Sequence, residues 1–371
     1  MSGTEPSAAS AAPIHVTLPF ETLSWVGGLK GHVTMLEQTF LPLREEQLVV
    51  RTVPEMVDAI YRLAVRGAPA IGVAAGFGMV LGLAGTDRDV LEVARETKAT
   101  LDASRPTAVN LMWATARILD KLEGLADGAT QDELRAAAFA DALAIYEGDR
   151  QTCRTMGLLG ADLIQDGATL LTHCNAGALA TAGIGTALAP IYTAHAQGKS
   201  VRVFSDETRP LLQGARITTW ELMRAGVDVT LITDSMAARV MSEGKIDAVF
   251  VGSDRITRNG DVCNKIGTFG VALAAKYHGI PFHVVAPLST VDPYMDSGSL
   301  IPIEERPATE ITEGFGNRTA PHGAKVYAPA FDVTPAELVT SIITEAGIIQ
   351  APSMAGIEAA LDRGGVQWRT A

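Results

Sequence analysis

Apolar residues recur with two different periods along the chain, and the change of period falls near position 150. Across residues 48–148 the apolar positions return at helical spacing, over 54–65, the glycine-rich stretch after Arg66, 87–103, 110–122 and 131–147. Gly67, Arg105-Pro106 and the run from Gly124 to Gly128 mark the breaks between these segments. Ahead of them, 17–43 alternates apolar and polar residues in the manner of a short antiparallel sheet. The stretch 67–85 approaches the length of a bilayer span. Pro69, Gly72, Gly76, Gly78 and Gly82 instead predict a tightly packed buried helix there.

After Thr152 the rhythm becomes one of short β-branched runs, each followed by polar residues and then a helical segment. The predicted strands are 169–172, 201–204, 227–232, 248–251 and 281–285. Four of them are followed by clusters able to do chemistry: His173-Cys174-Asn175, Ser205-Asp206-Glu207, Thr233-Asp234-Ser235 and Gly252-Ser253-Asp254. Helices between strands imply a parallel sheet, which carries all four clusters to one edge. Ligands bind at that edge in open α/β sheets. Asn175-Ala176-Gly177 is not the glycine fingerprint of dinucleotide-binding folds, so a nicotinamide cofactor is not expected.

A chain of 371 residues exceeds the usual size of one domain. The expected organisation is a loose Ser/Ala/Pro-rich tail over 1–13, a mainly helical domain with a small sheet over 14–150, and an α/β domain over 151–371. The tail lacks the basic start and apolar run of a signal peptide. A formal charge of -12 argues against nucleic acid or an anionic membrane as partner, so any phosphate must be held by a local cluster of cations. The three cysteines, Cys153, Cys174 and Cys263, form neither a disulfide framework nor a paired metal knuckle, which fits a reducing, cytoplasmic compartment.

Within the clusters, Cys174 is predicted to sit at a strand tip near the start of the next helix, where a thiol pKa is lowered. Its alternative is a small buried hydrophobe. Asp254 has three readings. It is a carboxyl that keeps its proton in a partly dry cleft and serves as general acid, a helix cap, or, with Asp206, Glu207 and Asp234, part of a magnesium site. The absence of a D-x-D pair at any strand tip and the nearby cations weigh against a required metal. Arg66, Arg105, Arg209 and Lys265 each stand beside small or turn-forming residues, and Arg66-Gly67-Ala68 has the makings of a phosphate cradle. Gln213 offers an amide suited to sugar hydroxyls.

Taken together, Arg66-Gly67-Ala68-Pro69-Ala70-Ile71-Gly72, Arg105-Pro106-Thr107-Ala108-Val109-Asn110, His173-Cys174-Asn175-Ala176-Gly177, Ser205-Asp206-Glu207-Thr208-Arg209-Pro210, the run from Gly252 through Ile256, and Asn264-Lys265-Ile266-Gly267-Thr268 resemble the methylthioribose-1-phosphate isomerases. The likeness runs in order across 48–347. It implies a helical N-terminal domain, a Rossmann-like C-terminal domain, a homodimer and a place in methionine salvage. It further implies Cys174 and Asp254 as the catalytic pair, with Arg66, Gly67, Ala68, Arg105, Gln213, Asn264 and Lys265 on a sugar-phosphate substrate; the missing fingerprint and the lack of a clear metal cage add the expectation of no cofactor and no metal. The same superfamily holds isomerases of 5-deoxyribose 1-phosphate and ribose 1,5-bisphosphate, and noncatalytic regulatory subunits of a translation initiation exchange factor, so fold alone does not select among them.

Overall fold

The computed structural model describes residues 15–105 and 108–366, so the predicted tail over 1–13 and the pair Pro106 and Thr107 lie outside the described residues. Strands β1 (Leu23–Val26), β2 (His32–Leu36) and β3 (Gln47–Val50) pair in chain order as an antiparallel sheet. Four helices then pack as a layer against it: α1 (Val53–Tyr61), α2 (Ala68–Leu83), α3 (Val90–Ser104) and α4 (Val109–Leu125). The α1 start is fixed by a capping box, with Thr52 and Glu55 each satisfying the other's main-chain N–H. In α2, thirteen of sixteen residues are buried, so it has no wet face. Its glycines make that possible, since a Cβ on Gly72 would come to 3.0 Å from the Asn110 carbonyl and one on Gly82 would overlap Thr97. Among the described residues no helix is long and apolar enough to cross a membrane.

The next helix, α5, runs unbroken over Gln131–Ala161, fourteen residues past the end predicted at 147. Gly148 is a weak helix former, but packing of the rest of α5 on α2 and on α6 (Ala189–Ala196) outweighs the roughly 1 kcal/mol that a glycine costs.

The second half is a seven-stranded sheet in the order β14-β13-β10-β7-β4-β5-β6. Its strands are β4 (Thr169–Thr172), β5 (Arg202–Asp206), β6 (Asp228–Ile232), β7 (Ala248–Val251), β10 (Phe282–Val285), β13 (Ser341–Thr344) and β14 (Gly347–Gln350). All neighbours are parallel except β13 and β14, which form an antiparallel hairpin. The two central strands, β4 and β7, are buried at every residue, as their continuous apolar runs require of a sheet covered on both faces. Apolar clusters cover each face, with α8 (Ala237–Ser242), α9 (Thr268–His278) and α11 (Met354–Arg363) on one and α5, α6 and α7 (Thr219–Arg224) on the other.

A four-stranded sheet, absent from the predicted pattern, branches off the end of β7: β11 (Val291–Asp292), β8 (Arg255–Thr257), β9 (Val262–Lys265) and β12 (Phe331–Thr334), in that spatial order. Between β11 and β12 the chain is mostly irregular, with a 3₁₀ turn (Gly298–Leu300), the short helix α10 (Thr309–Thr312) and a single bridge between Glu305 and Pro329. The main sheet is wound outward from β4 in two directions, first to β5 and β6, then back across to β7, β10 and β13. The direction reverses between β4 and β7, and in open α/β sheets the crevice outside the carboxyl ends of the strands at such a reversal is where ligands bind.

Candidate active site

Both residues predicted as the catalytic pair come from the two strands that flank this crevice. Cys174 follows β4 after His173, and Asp254 follows β7 after Gly252 and Ser253. The two turns touch: a Cβ on Gly252 would stand 2.7 Å from the Cβ of Ala176. Cys174 adopts φ +65°, a left-handed conformation uncommon for a residue with a side chain. Its main chain is held on both sides, the N–H donating to Thr208 Oγ1 at 2.8 Å and the carbonyl accepting from Thr218 Oγ1 at 2.6 Å. Such over-determination is what sustains a strained backbone.

The thiol itself is almost wholly buried. Burial pushes it above the ordinary cysteine range; Arg66 and Lys265 pull it down, and Asp254 pushes it up again. This overturns the expectation of a pKa lowered by a helix start. The residues after Gly177 form a single 3₁₀ turn, Ala178–Ala180, and the next helix, α6, begins only at Ala189, so no helix end is aimed at the sulfur. The other two thiols lie off the crevice floor. Cys153 is buried in α5 and Cys263 lies on β9, its pKa raised by burial to about 12.

Asp254 leads into β8, not into a helix, which removes the helix-cap reading. Its N–H donates to the Cys263 carbonyl at 2.9 Å, and Ser253 Oγ donates to the same carbonyl at 3.1 Å, so the turn is pinned to β9. Asp254 is a solvent-exposed residue, yet its carboxyl has a considerable depth of protein packed around it. That depth raises it above the usual carboxylate range, against the pull of Lys265, Arg66 and Arg105 and with help from Glu304. A raised carboxyl pKa is the direction that general-acid work calls for.

Cationic groups gather from both halves of the chain. Arg66 donates through Nη1 to Asn175 Oδ1 at 2.8 Å and through Nη2 to the Asn175 carbonyl at 3.2 Å. Gly67, at φ +88°, caps the start of α2 without a side-chain hydrogen bond, and a Cβ there would come to 2.5 Å from the Ala180 carbonyl. The amides opening α2 at Ala68 therefore lack a side-chain cap, as an anion site at a helix start requires. Arg105 ends α3, and its guanidinium makes no hydrogen bond among the described residues, but it is close enough to Glu304, Arg306, Asp254 and Arg66 to feel their charge. Lys265 donates to the Ala330 carbonyl at 2.8 Å and lies 4.4 Å from the Phe331 ring centre. Its neighbour Asn264 is buried and donates to Thr268 Oγ1 at 3.1 Å. Gln213 opens a π turn, Gly214–Thr218, and its buried Oε1 has no partner among the described residues. Arg209, by contrast, turns away to the Pro210 and Ile311 carbonyls and packs over Phe315.

The carboxylates proposed from sequence as an alternative metal site are otherwise engaged. His173, Asp206 and Asp234 form the one group with ligand-like spacing among the described residues, their candidate atoms within 4.8 Å of one another. Both Asp234 oxygens accept main-chain N–H groups, from Thr208 at 2.8 Å and Arg209 at 2.7 Å. His173 spans Asp206 Oδ2 and the Ile266 carbonyl, each at 2.9 Å. These bonds tie two loops together and leave Asp206 Oδ1 buried without a partner among the described residues. Thr208, Thr218, Glu221 and Glu304 escaped the sequence reading. Thr208 alone stood inside a quoted motif, and Glu304 and Glu221 gave no signal beyond an ordinary carboxylate.

A doubly wound α/β sheet with a thiol and a carboxyl at its reversal point, and with arginine and lysine beside them, has the form of a small-molecule enzyme site. The chain belongs to the Initiation factor 2 subunit family, whose model matches residues 64–351. It is 53% identical to the 5-deoxyribose 1-phosphate isomerase of Moorella thermoacetica, the match covering 90% of this chain and 95% of that protein. It is 52% identical to the methylthioribose-1-phosphate isomerase of Heliobacterium modesticaldum, over 91% of this chain and 98% of that one. The crystal structure of 5-methylthioribose 1-phosphate isomerase from Pyrococcus horikoshii superposes with a TM-score of 0.89 at 40% identity, over 95% of this chain and 99% of its own.

Proposed function

We propose that this chain is an aldose–ketose isomerase converting 5-methylthio-α-D-ribose 1-phosphate to 5-methylthio-D-ribulose 1-phosphate in methionine salvage, acting without a cofactor as a cytoplasmic homodimer. The observation that carries the reading is the meeting of Cys174 and Asp254 at the reversal point of the sheet, with Arg66 and Lys265 felt by both. Three free, buried cysteines agree with a reducing compartment.

An aldose with phosphate on its C1 oxygen cannot open to a free aldehyde, so the enzyme has to break the ring C1–O bond. Asp254, protonated, donates to the ring oxygen as that bond breaks. Arg66 and Arg105 hold the phosphate with the uncapped amides at Gly67 and Ala68, and the unpartnered Gln213 Oε1 accepts from a sugar hydroxyl. Asn264 and Lys265 close the other side. Hydride then moves from C2 to C1 while the C2 hydroxyl gives its proton to the Asp254 carboxylate, which restores the acid, and C2 becomes the ketone. With Cys174 held as a thiol by burial, and a phosphate dianion nearby raising it further, we favour a hydride shift over proton removal by a thiolate. Run in deuterium oxide, the reaction is expected to leave C1 of the product free of deuterium by NMR; deuterium at C1 would transfer the step to an enolate formed by Cys174.

One observation favours a second reading of the substrate: the Moorella relative is named for 5-deoxyribose 1-phosphate and shares 53% identity. Both substrates undergo the same chemistry and differ only beyond C5. Comparing kcat/KM for methylthioribose 1-phosphate, 5-deoxyribose 1-phosphate and ribose 1,5-bisphosphate decides the assignment, with the first expected to lead.

A further inference from the structure

Glu221 lies on α7, far along the chain from any predicted site residue, and is fully buried. A carboxylate does not occupy such a place without partners. Its Oε1 accepts from Asn175 Nδ2, and its Oε2 accepts from the Leu179 N–H at 3.4 Å. The Tyr192 hydroxyl faces it from α6. The chain makes room for it, because a Cβ on Gly177 would overlap the carboxylate. Burial raises its carboxyl to about 7.

The amide it holds is the one that holds Arg66. An arginine only donates and a carboxylate is the better acceptor, so Asn175 has one permitted orientation: Oδ1 towards Arg66, Nδ2 towards Glu221. The same Nδ2 lies 3.1 Å from Thr218 Oγ1, whose hydroxyl donates to the Cys174 carbonyl. The fork of Arg66 thus rests on one residue, its shorter bond on the Asn175 side-chain amide and its longer one on the Asn175 main-chain carbonyl, and that amide is oriented from behind by Glu221.

We propose that Glu221 is a positioning residue for substrate phosphate: through Asn175 it fixes the guanidinium of Arg66 in the crevice. The proposal rests on the reading of Arg66 as a phosphate ligand. Glutamine cannot replace Glu221 in this role. Its two ends are one acceptor and one donor, so it must set an NH₂ against either the Asn175 NH₂ or the Leu179 N–H.

The test is a double-mutant cycle on the full chain with methylthioribose 1-phosphate as substrate. Glu221→Gln is expected to raise KM about tenfold and to change kcat by less than about threefold, as loss of binding common to ground and transition states does. In an Arg66→Ala background the same substitution is expected to add nothing to KM. Asn175→Ala, which cuts the relay from the other side, is expected to give the same KM rise and the same loss of effect beside Arg66→Ala, and it carries the test if Glu221→Gln does not fold. An unchanged KM in both variants, or KM effects that multiply fully with that of Arg66→Ala, would overturn the proposal. If instead Arg66→Ala alone leaves KM unchanged, the phosphate reading of Arg66 fails, and with it the basis of this inference.

Discussion

The two walls of the crevice hold their polar groups by different means. On the sheet wall, Cys174 and Asp254 are placed by the main chain: both carry hydrogen-bonded N–H groups, and their turns lie within van der Waals reach of each other. On the helical wall, Arg66 is tied across to Asn175 by two hydrogen bonds, whereas the Arg105 guanidinium has none among the described residues and feels the charge of Glu304. The groups assigned to bond breaking are therefore rigid before substrate arrives, and those assigned to charge recognition range from fixed to free. Substitutions on the two walls should separate accordingly into kcat and KM.

The largest effects are expected on the sheet wall. Asp254→Asn should lower kcat by at least about a hundredfold, within the range for losing a general acid or base, and Cys174→Ser by a similar factor, because a hydroxyl makes polar the dry wall past which the hydride moves. Both should melt near the parent, since neither side chain is deleted. The acid must be protonated to act, and the carboxyl of Asp254 is raised by burial. Parental kcat should therefore fall as pH rises through that raised pKa, and Asp254→Asn should lack this limb. Parental turnover in both variants would place the chemistry elsewhere and strengthen the case for a noncatalytic binding subunit.

On the helical wall the two arginines should respond differently to the same conservative change. Arg66→Ala should raise KM tenfold or more, from loss of charged hydrogen bonds worth about 1.5–3 kcal/mol each. Arg66→Lys should be nearly as harmful, because an ammonium cannot span both Asn175 oxygens as the guanidinium fork does. Arg105→Lys should be mild, a few-fold in KM, because no fixed fork is lost. Equal KM changes in the two lysine variants would erase the distinction between a fixed and a free cation.

The smallest expected effect is on stability. Glu221 has its carboxyl raised to about 7, so it favours the folded state fully below the ordinary glutamate range and loses that contribution as pH rises through about 7. The Tm of the parent should fall between pH 5 and 8 by a few degrees more than that of Glu221→Gln, on the order expected for one such linkage in a large domain. Parallel Tm curves would mean that Glu221 titrates alike in both states.

Much of this site could be read from the chain because it is carried by the most strongly patterned elements. The strands β4 and β7 are short apolar runs bounded by polar residues, and Cys174 and Asp254 stand just beyond them. The branching sheet was missed because β8, β9 and β11 are two to four residues long, too short to show a period, and are separated by residues such as Asn259, Gly260 and Asp261 that read as turn. Glu221 was missed for another reason. A carboxylate in a helix ordinarily marks a wet face, and only the fold reveals that this one points into the core. The sulfur pKa went wrong because a helix was assumed after Gly177, where Gly183, Gly185 and neighbouring small residues instead make an irregular segment packed against α5.

The burial of α2 has a mechanical corollary. A helix packed on all sides has no cheap direction in which to slide or rotate, and its first residues carry Gly67 and Ala68 directly behind Arg66. Any narrowing of the crevice around a ligand must then move the α1–α4 layer as a single rigid lever about its joints with the sheet, because the loop at Arg66 cannot fold over the ligand independently of the helix behind it.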